Sequence, residues 1–255
     1  MTWDEINRRR MPFIRMGSRL FKGMYNDIKK QLEEVIQGKH TAGQITEAIR
    51  TFRFDDQIVQ AAFMRYYVKT GMSFAKDTVK GRKNSLQLKN DETDIWMAQL
   101  IEYIRTKTST KITSTISTTY KDIERISREF VETGMNEGWG MDKIVREIVK
   151  KQGTIDSWKA MRIARTEVVS ASNLGVEIGA DSLVGNKMRV WISTYRPTSR
   201  PDHLQMDGVK VPYREKFLTP KGNYMSFPGD PECGDASDTI NCTCGYEVIV
   251  ESELY

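Results

Sequence analysis

One histidine and all three cysteines of the chain fall in its last quarter: His203, Cys233, Cys242 and Cys244. A Cys3His set is what a closed tetrahedral zinc site uses, because thiolate sulfur and imidazole nitrogen both suit that ion. The spacing departs from the usual Cys-x2–4-Cys pairing. In Cys242-Thr-Cys244 the two thiols lie on one face of an extended chain, with Cα atoms about 6.5–7 Å apart. A metal can bridge such a pair, whereas a disulfide across it would be strained. A second reading treats the cysteines as small buried hydrophobic residues and His203 as a group that pins the Arg200 turn by hydrogen bonds. A third is nucleophilic catalysis, with Cys242 or Cys233 as thiolate, His203 as base and Asp207 or Asp230 to orient it. No local protease signature surrounds these residues, and no Gly-rich phosphate loop, paired-carboxylate signature or HExxH motif occurs, so the expectation is that the chain is not an enzyme. Arg165 and Glu167 lie on a helix and are expected to form structural salt bridges, for instance to the Arg200 and Asp230 turns.

The elements that must position these groups are divided by proline. Pro12 is the only one before residue 197, whereas Pro197, Pro201, Pro212, Pro220, Pro228 and Pro231 crowd into 35 residues. Long helices are therefore predicted first and a turn-rich region after them. Thr2-Trp-Asp-Glu5 is a capping box opening a helix towards Gln37, and Thr41-Ala-Gly-Gln44 opens a short one to about Thr51. Asp55 or Asp56 caps a third carrying Ile58, Ala62, Tyr66 and Val68 towards Phe74, and residues 80–90 read as a polar loop. The acids of Asn90-Asp-Glu-Thr-Asp94 suit the start of the next helix, whose apolar stripe is Trp96, Leu100, Tyr103 and Ile104.

The Ser/Thr-rich run 107–120 has weak helix preference. Even so, Ile112, Ile116, Ile123, Ile126 and Phe130 recur at helical spacing, so a long helix is expected to about 134–140. Met141, Ile144, Val145, Ile148 and Val149 mark another, ending at Gly153. A further helix spans about 154–179, with Trp158, Met161, Val168 and Ala171 on one side. Residues 187–194 alternate like a strand with Met188, Val190 and Ile192 on one face, and 245–250 form a second strand. Short segments at 209–211 and 224–227 lie between turn signals. The fold class is α+β: a mainly helical N-terminal two-thirds followed by a small loop-rich α+β domain. A basic helical region for partner docking is expected over 1–106. A second domain spans 107–255, with long helices to about 180 and a β-containing, proline-rich part over 181–255.

Size and charge bound the function. The 255 residues, 39% of them hydrophobic, can build real cores. No apolar run is long enough to span a bilayer, and the start lacks the apolar stretch of a signal peptide, so cytosolic synthesis is expected. Residues 1–90 carry 18 Lys and Arg against nine acids, while 221–255 hold one Lys and seven acids. A basic start and an acidic finish favour different partners, and the basic part could contact DNA phosphates without sequence preference.

Four segments taken in order carry a resemblance: Arg162-Ile-Ala-Arg-Thr-Glu-Val168, Trp191-Ile-Ser-Thr-Tyr-Arg-Pro-Thr-Ser-Arg-Pro-Asp-His203, Met206-Asp-Gly-Val209, and Phe227-Pro-Gly-Asp-Pro231 leading to Ile240-Asn-Cys-Thr-Cys244. Together they resemble the phage Mu F-like head morphogenesis family, whose pattern is an Ala-Arg-Thr-Glu helix, a Trp strand, an Arg-x-x-His turn, a Leu-Asp-Gly-like turn and an Asn-Cys-Arg-Cys ending. Arg165, Thr166, Glu167, Trp191, Arg200, His203, Asp207, Gly208, Pro228, Gly229, Asp230, Asn241, Cys242 and Cys244 are the matching positions. Thr243 stands where the pattern has Arg, which leaves the cysteine pair and removes a cation. The likeness is sharp over about 160–250, looser from 110 and absent from 1–100. It implies a non-enzymatic minor capsid protein of a tailed bacteriophage, built in few copies into the procapsid interior near the portal. The implied partners are the portal, the major capsid and scaffold proteins, and double-stranded DNA during packaging or ejection. The resemblance further implies that no membrane takes part at assembly and that the protein passes through the host cytoplasm into the virion. The alternatives are a cysteine/histidine-dependent hydrolase and a zinc-containing DNA-binding adaptor.

Overall fold

The computed structural model describes residues 2–80, 82, 90–233 and 235–251, so most of the polar loop expected over 80–90 lies outside the described residues. Six helices come first: α1 (Trp3–Ile36), α2 (Ala42–Thr51), α3 (Gln57–Val79), α4 (Asn90–Lys107), α5 (Ser109–Asn136) and α6 (Met141–Asp181). They are followed by β1 (Lys187–Ile192), α7 (Pro201–Gln205), β2 (Lys210–Pro212), β3 (Phe217–Leu218), β4 (Tyr224–Met225), a 3-10 turn (Pro231–Cys233), α8 (Ala236–Thr239) and β5 (Gly245–Val250). Among the described residues no helix is long and apolar enough to cross a membrane.

The capping residues act as the sequence suggests. The Thr2 amide donates to Glu5 at 2.7 Å and the Glu5 amide to the Thr2 hydroxyl at 3.3 Å, so two amides without helical partners are satisfied reciprocally. At α2 the Gln44 amide donates to Thr41, but the Gln44 side chain accepts from His40 rather than closing the box on Thr41. Asp55 accepts from the Gln57 amide at the start of α3. In α5 the hydroxyls of Thr115, Thr118 and Thr119 donate to carbonyls four residues back, which lets a polar run stay helical without exposing competing donors.

One boundary falls differently. Gly153 does not end a helix, because α6 runs unbroken from Met141 to Asp181. Glycine in a helix costs only about 1 kcal/mol relative to alanine, and no proline follows to stop propagation. Trp158, expected on the packed side, is 63% exposed under the Arg162 guanidinium, 4.6 Å from its ring centroid. Its indole is covered by a cation instead of by core residues. On β1 the more deeply buried alternation is Arg189 and Trp191, while Met188 and Val190 are half-buried.

The chain forms two compact units, each drawing segments from both sides of residue 107. Unit 2 comprises 18–63 and 109–162 and is helical. Its buried residues include Phe21, Ile28 and Leu32 of α1, Ile123 and Ile126 of α5, and Ile144 and Ile148 of α6. Phe54 stacks on Tyr120 with centroids 4.5 Å apart. A cavity of about 720 Å³ opens between α2 and α5, lined by Ile49, Phe52, Arg53, Tyr120 and Ile123 among others.

Unit 1 comprises 1–17, 64–108 and 163–255 and, among the described residues, holds every strand. β1 is the centre of an antiparallel sheet ordered β2-β1-β5, in register Arg189 with Val211 and Trp191 with Tyr246, and β3 pairs with β4 separately. Within this unit α3 and α6 approach closely at small residues. A Cβ on Gly175 would lie 2.3 Å from the Gly71 carbonyl oxygen, and one on Gly179 would lie 2.5 Å from that of Ala75. Side chains are excluded there by backbone.

Candidate functional site

The turns after β1 close over an apolar cluster of Trp191, Met206, Phe217, Met225, Cys242 and Cys244, against which Val209, Val211 and Cys233 pack. Trp191 is its anchor. The indole meets the Phe217 ring edge-on at 5.3 Å and the His203 ring at 5.6 Å, and its N–H donates to the Ser193 hydroxyl. Ser193 in turn donates to the His203 carbonyl, so the strand end fixes the backbone that presents the imidazole. Pro201 at the first position of α7 suits a helix start, since its missing N–H would have no helical partner there.

Asp207 acts at a distance from its own turn. One carboxylate oxygen accepts from the Ser193 amide and the other from the Tyr195 hydroxyl, both at 2.7 Å, so it ties the α7 turn to the end of β1 rather than capping itself. Gly208 follows with φ +75°, a conformation open to glycine; its amide donates to the Trp191 carbonyl, and the Trp191 amide donates to the Val209 carbonyl. Arg200 reaches across to the Ile240 carbonyl at 2.5 Å. Asn241 takes the left-handed conformation (φ 56°) that asparagine tolerates, and thereby turns the chain just before Cys242.

The Pro228-Gly229-Asp230 turn lies against α6. The Ser170 hydroxyl donates to the Gly229 carbonyl at 2.6 Å, and the Asn173 side chain to that of Pro228 at 2.7 Å. Asp230 accepts from the amides of Ser226 and Glu232, and Glu167 accepts from the buried Tyr67 hydroxyl at 2.5 Å. Of the pair expected to bridge to the Arg200 and Asp230 turns, Glu167 accepts from Tyr67 within the helical layer. Arg165 is exposed, and Thr166, between the two, is buried.

The structure brings His203, Cys242 and Cys244 together and leaves Cys233 apart. The ligand atoms of the first three lie within 4.8 Å of one another, and both sulfurs are 3.6 Å from His203 Nδ1. All are deeply buried: His203 is 3% exposed and each cysteine 2%. Cys233 sits half-buried on the 3-10 turn. The two thiols are electrostatically unequal. The hydrogen bond between them, together with burial, raises Cys242 well above a normal thiol, whereas that bond and the neighbouring His203 lower Cys244.

On the other side of the ring, His203 Nε2 faces Asp238 at 3.5 Å. Asp238 is fully buried and accepts from Lys221 Nζ at 2.9 Å and the Asn223 side chain at 2.8 Å. Burial alone would raise its pKa, but these donors hold it below the usual carboxylate range. Asp202 also pairs with Lys221, at 3.2 Å. Asp238, not Asp207 or Asp230, is therefore the acid positioned beside the histidine.

Sequence reading missed two further groups. Asp238 belongs to no motif, and Arg10 is the last residue of an Arg-Arg-Arg run near the start of the sequence. Arg10 is buried, donating to the Ser172 hydroxyl (2.8 Å), the Asn173 side-chain oxygen (2.7 Å) and the carbonyls of Thr243 (3.0 Å) and Cys244 (3.1 Å). It ties α1 and α6 to the backbone between the two cysteines. The one available signal was its place on the same helical face as Ile6 and Phe13. Set against known proteins, residues 125–247 match the family described as Phage Mu protein F like protein. No curated protein and no solved structure matches the chain.

Proposed function

With residues 125–247 belonging to the phage Mu F-like family, we propose that this phage head morphogenesis protein is a minor capsid component that docks on the portal inside the procapsid. The family match is the observation that carries the reading. The geometry agrees with a structural role, because Cys242 and Cys244, which lie beside His203, are each 2% exposed and pack in the apolar cluster around Trp191. Asp207, Arg200, Asp230 and Ser193 each spend their polar atoms on holding turns.

Docking is assigned to the basic N-terminal helices, where charge is abundant and the family match does not extend. Deleting 1–100 would remove segments of both units, so charge reversal at exposed Lys22, Arg65 and Lys69 is the cleaner test. Co-expression with the portal of the same phage should give co-purification that the triple Glu variant loses. Undiminished capture by that variant refutes docking through this region, and failure of the wild type to capture portal refutes the partner. DNA contact by the same basic region predicts binding that falls steeply with salt and shows little sequence preference. Salt-independent retardation, or none at low salt, removes DNA as a partner.

A further inference from the structure

We propose that His203 Nδ1, Cys242 Sγ and Cys244 Sγ form a zinc site, with Asp238 as the carboxylate that orients the histidine. The inference rests on how three ligand atoms converge in a buried place. A tetrahedral zinc with bonds of about 2.3 Å to sulfur and 2.0–2.1 Å to nitrogen sets each sulfur about 3.6 Å from the nitrogen. Both sulfurs stand at 3.6 Å from Nδ1.

A single metal ion accounts for both sulfur–nitrogen contacts at once. The pyridine-type nitrogen of a neutral imidazole has a single lone pair in the ring plane, so it accepts a proton from one thiol and not from two at once. A zinc ion uses both sulfurs as thiolates together with that lone pair, and the two thiol protons pass to solvent on binding. Two thiolates and an imidazole are the donors that zinc favours over the hard cations, which take oxygen. With Nδ1 on the metal, Nε2 carries the remaining proton. That nitrogen is buried, has no hydrogen-bond partner within normal reach, and lies 3.5 Å from Asp238 Oδ1. A contraction of about half an ångström would complete the carboxylate–histidine–metal arrangement in which the second partner fixes the tautomer.

The surroundings suit such a centre. Arg10 holds the carbonyls of Thr243 and Cys244, so the short stretch carrying both sulfurs is fixed to α1 and brings a buried positive charge near two thiolates. Asn241 sets the turn that lets Cys242 and Cys244 face the same ring. Three protein ligands leave the fourth tetrahedral position to a water oxygen, and Cys233 lies outside the set.

The test is zinc analysis of the purified full-length chain, with cobalt(II) as a spectroscopic probe. One zinc per chain is expected by elemental analysis. Cobalt replacement should give intense thiolate-to-metal charge-transfer absorption and the visible bands of tetrahedral cobalt. Cys242→Ser, Cys244→Ser and His203→Gln should each lose the metal, while Cys233→Ser keeps it. Should those variants fail to fold, chelation of the wild type provides an independent readout: the melting temperature falls, and zinc restores it. Substoichiometric zinc with no cobalt spectrum overturns the proposal, as does a melting temperature indifferent to chelator. Zinc retained by all three single variants would overturn the proposal by placing the ion elsewhere, and its loss from Cys233→Ser would overturn the three-residue set.

Discussion

Replacing Arg10 by Ala removes a guanidinium that makes four hydrogen bonds from a buried position. The acceptors are not equally exposed to the loss. Thr243 O keeps the Trp3 indole at 3.3 Å, and Cys244 O keeps a long contact to Asn173, but Asn173 Oδ1 loses its donor outright. Against this stands the cost of burying the charge, visible in a pKa pushed down to about 10 by desolvation. The four acceptors are neutral, so the loss is that of hydrogen bonds from a charged donor and of one acceptor left unsatisfied, each about 1–3 kcal/mol. Because two acceptors retain partners, the sum is set at about 3 kcal/mol. At roughly 2–4 °C per kcal/mol, a loss of about 3 kcal/mol lowers the melting temperature by roughly 6–12 °C. Arg10→Met should recover part of that, since it fills similar volume and removes the buried charge. Circular dichroism melts of the three proteins give the order Ala below Met below wild type. An Ala variant within about 2 °C of wild type would refute the claim that this side chain ties α1 to the cysteine segment.

Three other outcomes follow from particular contacts. Gly175→Ala forces a Cβ against the Gly71 backbone and should destabilise by about 1–3 kcal/mol in denaturant titration; a neutral result would mean that the helices separate easily. Gly153→Ala should act oppositely, gaining about 0.4–1 kcal/mol, because its Cβ meets only Lys29 side-chain atoms at 3.6 and 3.7 Å. Asp156 on α6 has its pKa raised to about 7 by burial, despite the Gln152 hydrogen bond and Lys159. The folded chain then holds this proton more tightly than the unfolded one, so the contribution is full below about pH 4 and is lost as pH rises through about 7. Asp156→Asn should flatten the stability profile across that window and exceed wild type at pH 8, with about 1.4 kcal/mol for each tenfold difference in proton affinity as the upper scale; an unchanged slope contradicts the assignment.

Local signals were legible where they were short-range. The capping box at Thr2 and Glu5, the strand limits of β5 and the helical nature of the Thr-rich run all depend on neighbours within a few residues. The gathering of His203 with Cys242 and Cys244 could be raised as a composition, but its membership could not be read, since nothing in the spacing says that Cys233 stands apart or that Asp238 faces the ring. Arg10 was illegible for a similar reason. A basic triplet normally solvates a helix face, and only the fold shows that the third arginine turns inward. Gly153 was misread because a glycine that ends a helix and one that merely interrupts its side-chain stripe look alike in sequence.

The bond from Arg10 to the cysteine segment joins residues 233 and 234 positions apart. During synthesis, then, α1 waits for more than two hundred further residues before the buried charge of Arg10 finds its acceptors. Unit 2 needs nothing beyond residue 162 and can close while translation continues, whereas unit 1 cannot be completed until β5 has left the ribosome. Contacts of such high order form slowly, because loop closure precedes any reward from packing. A chain released short of β5 should therefore present a folded helical unit beside an open one, and limited proteolysis of stalled chains would reveal the asymmetry.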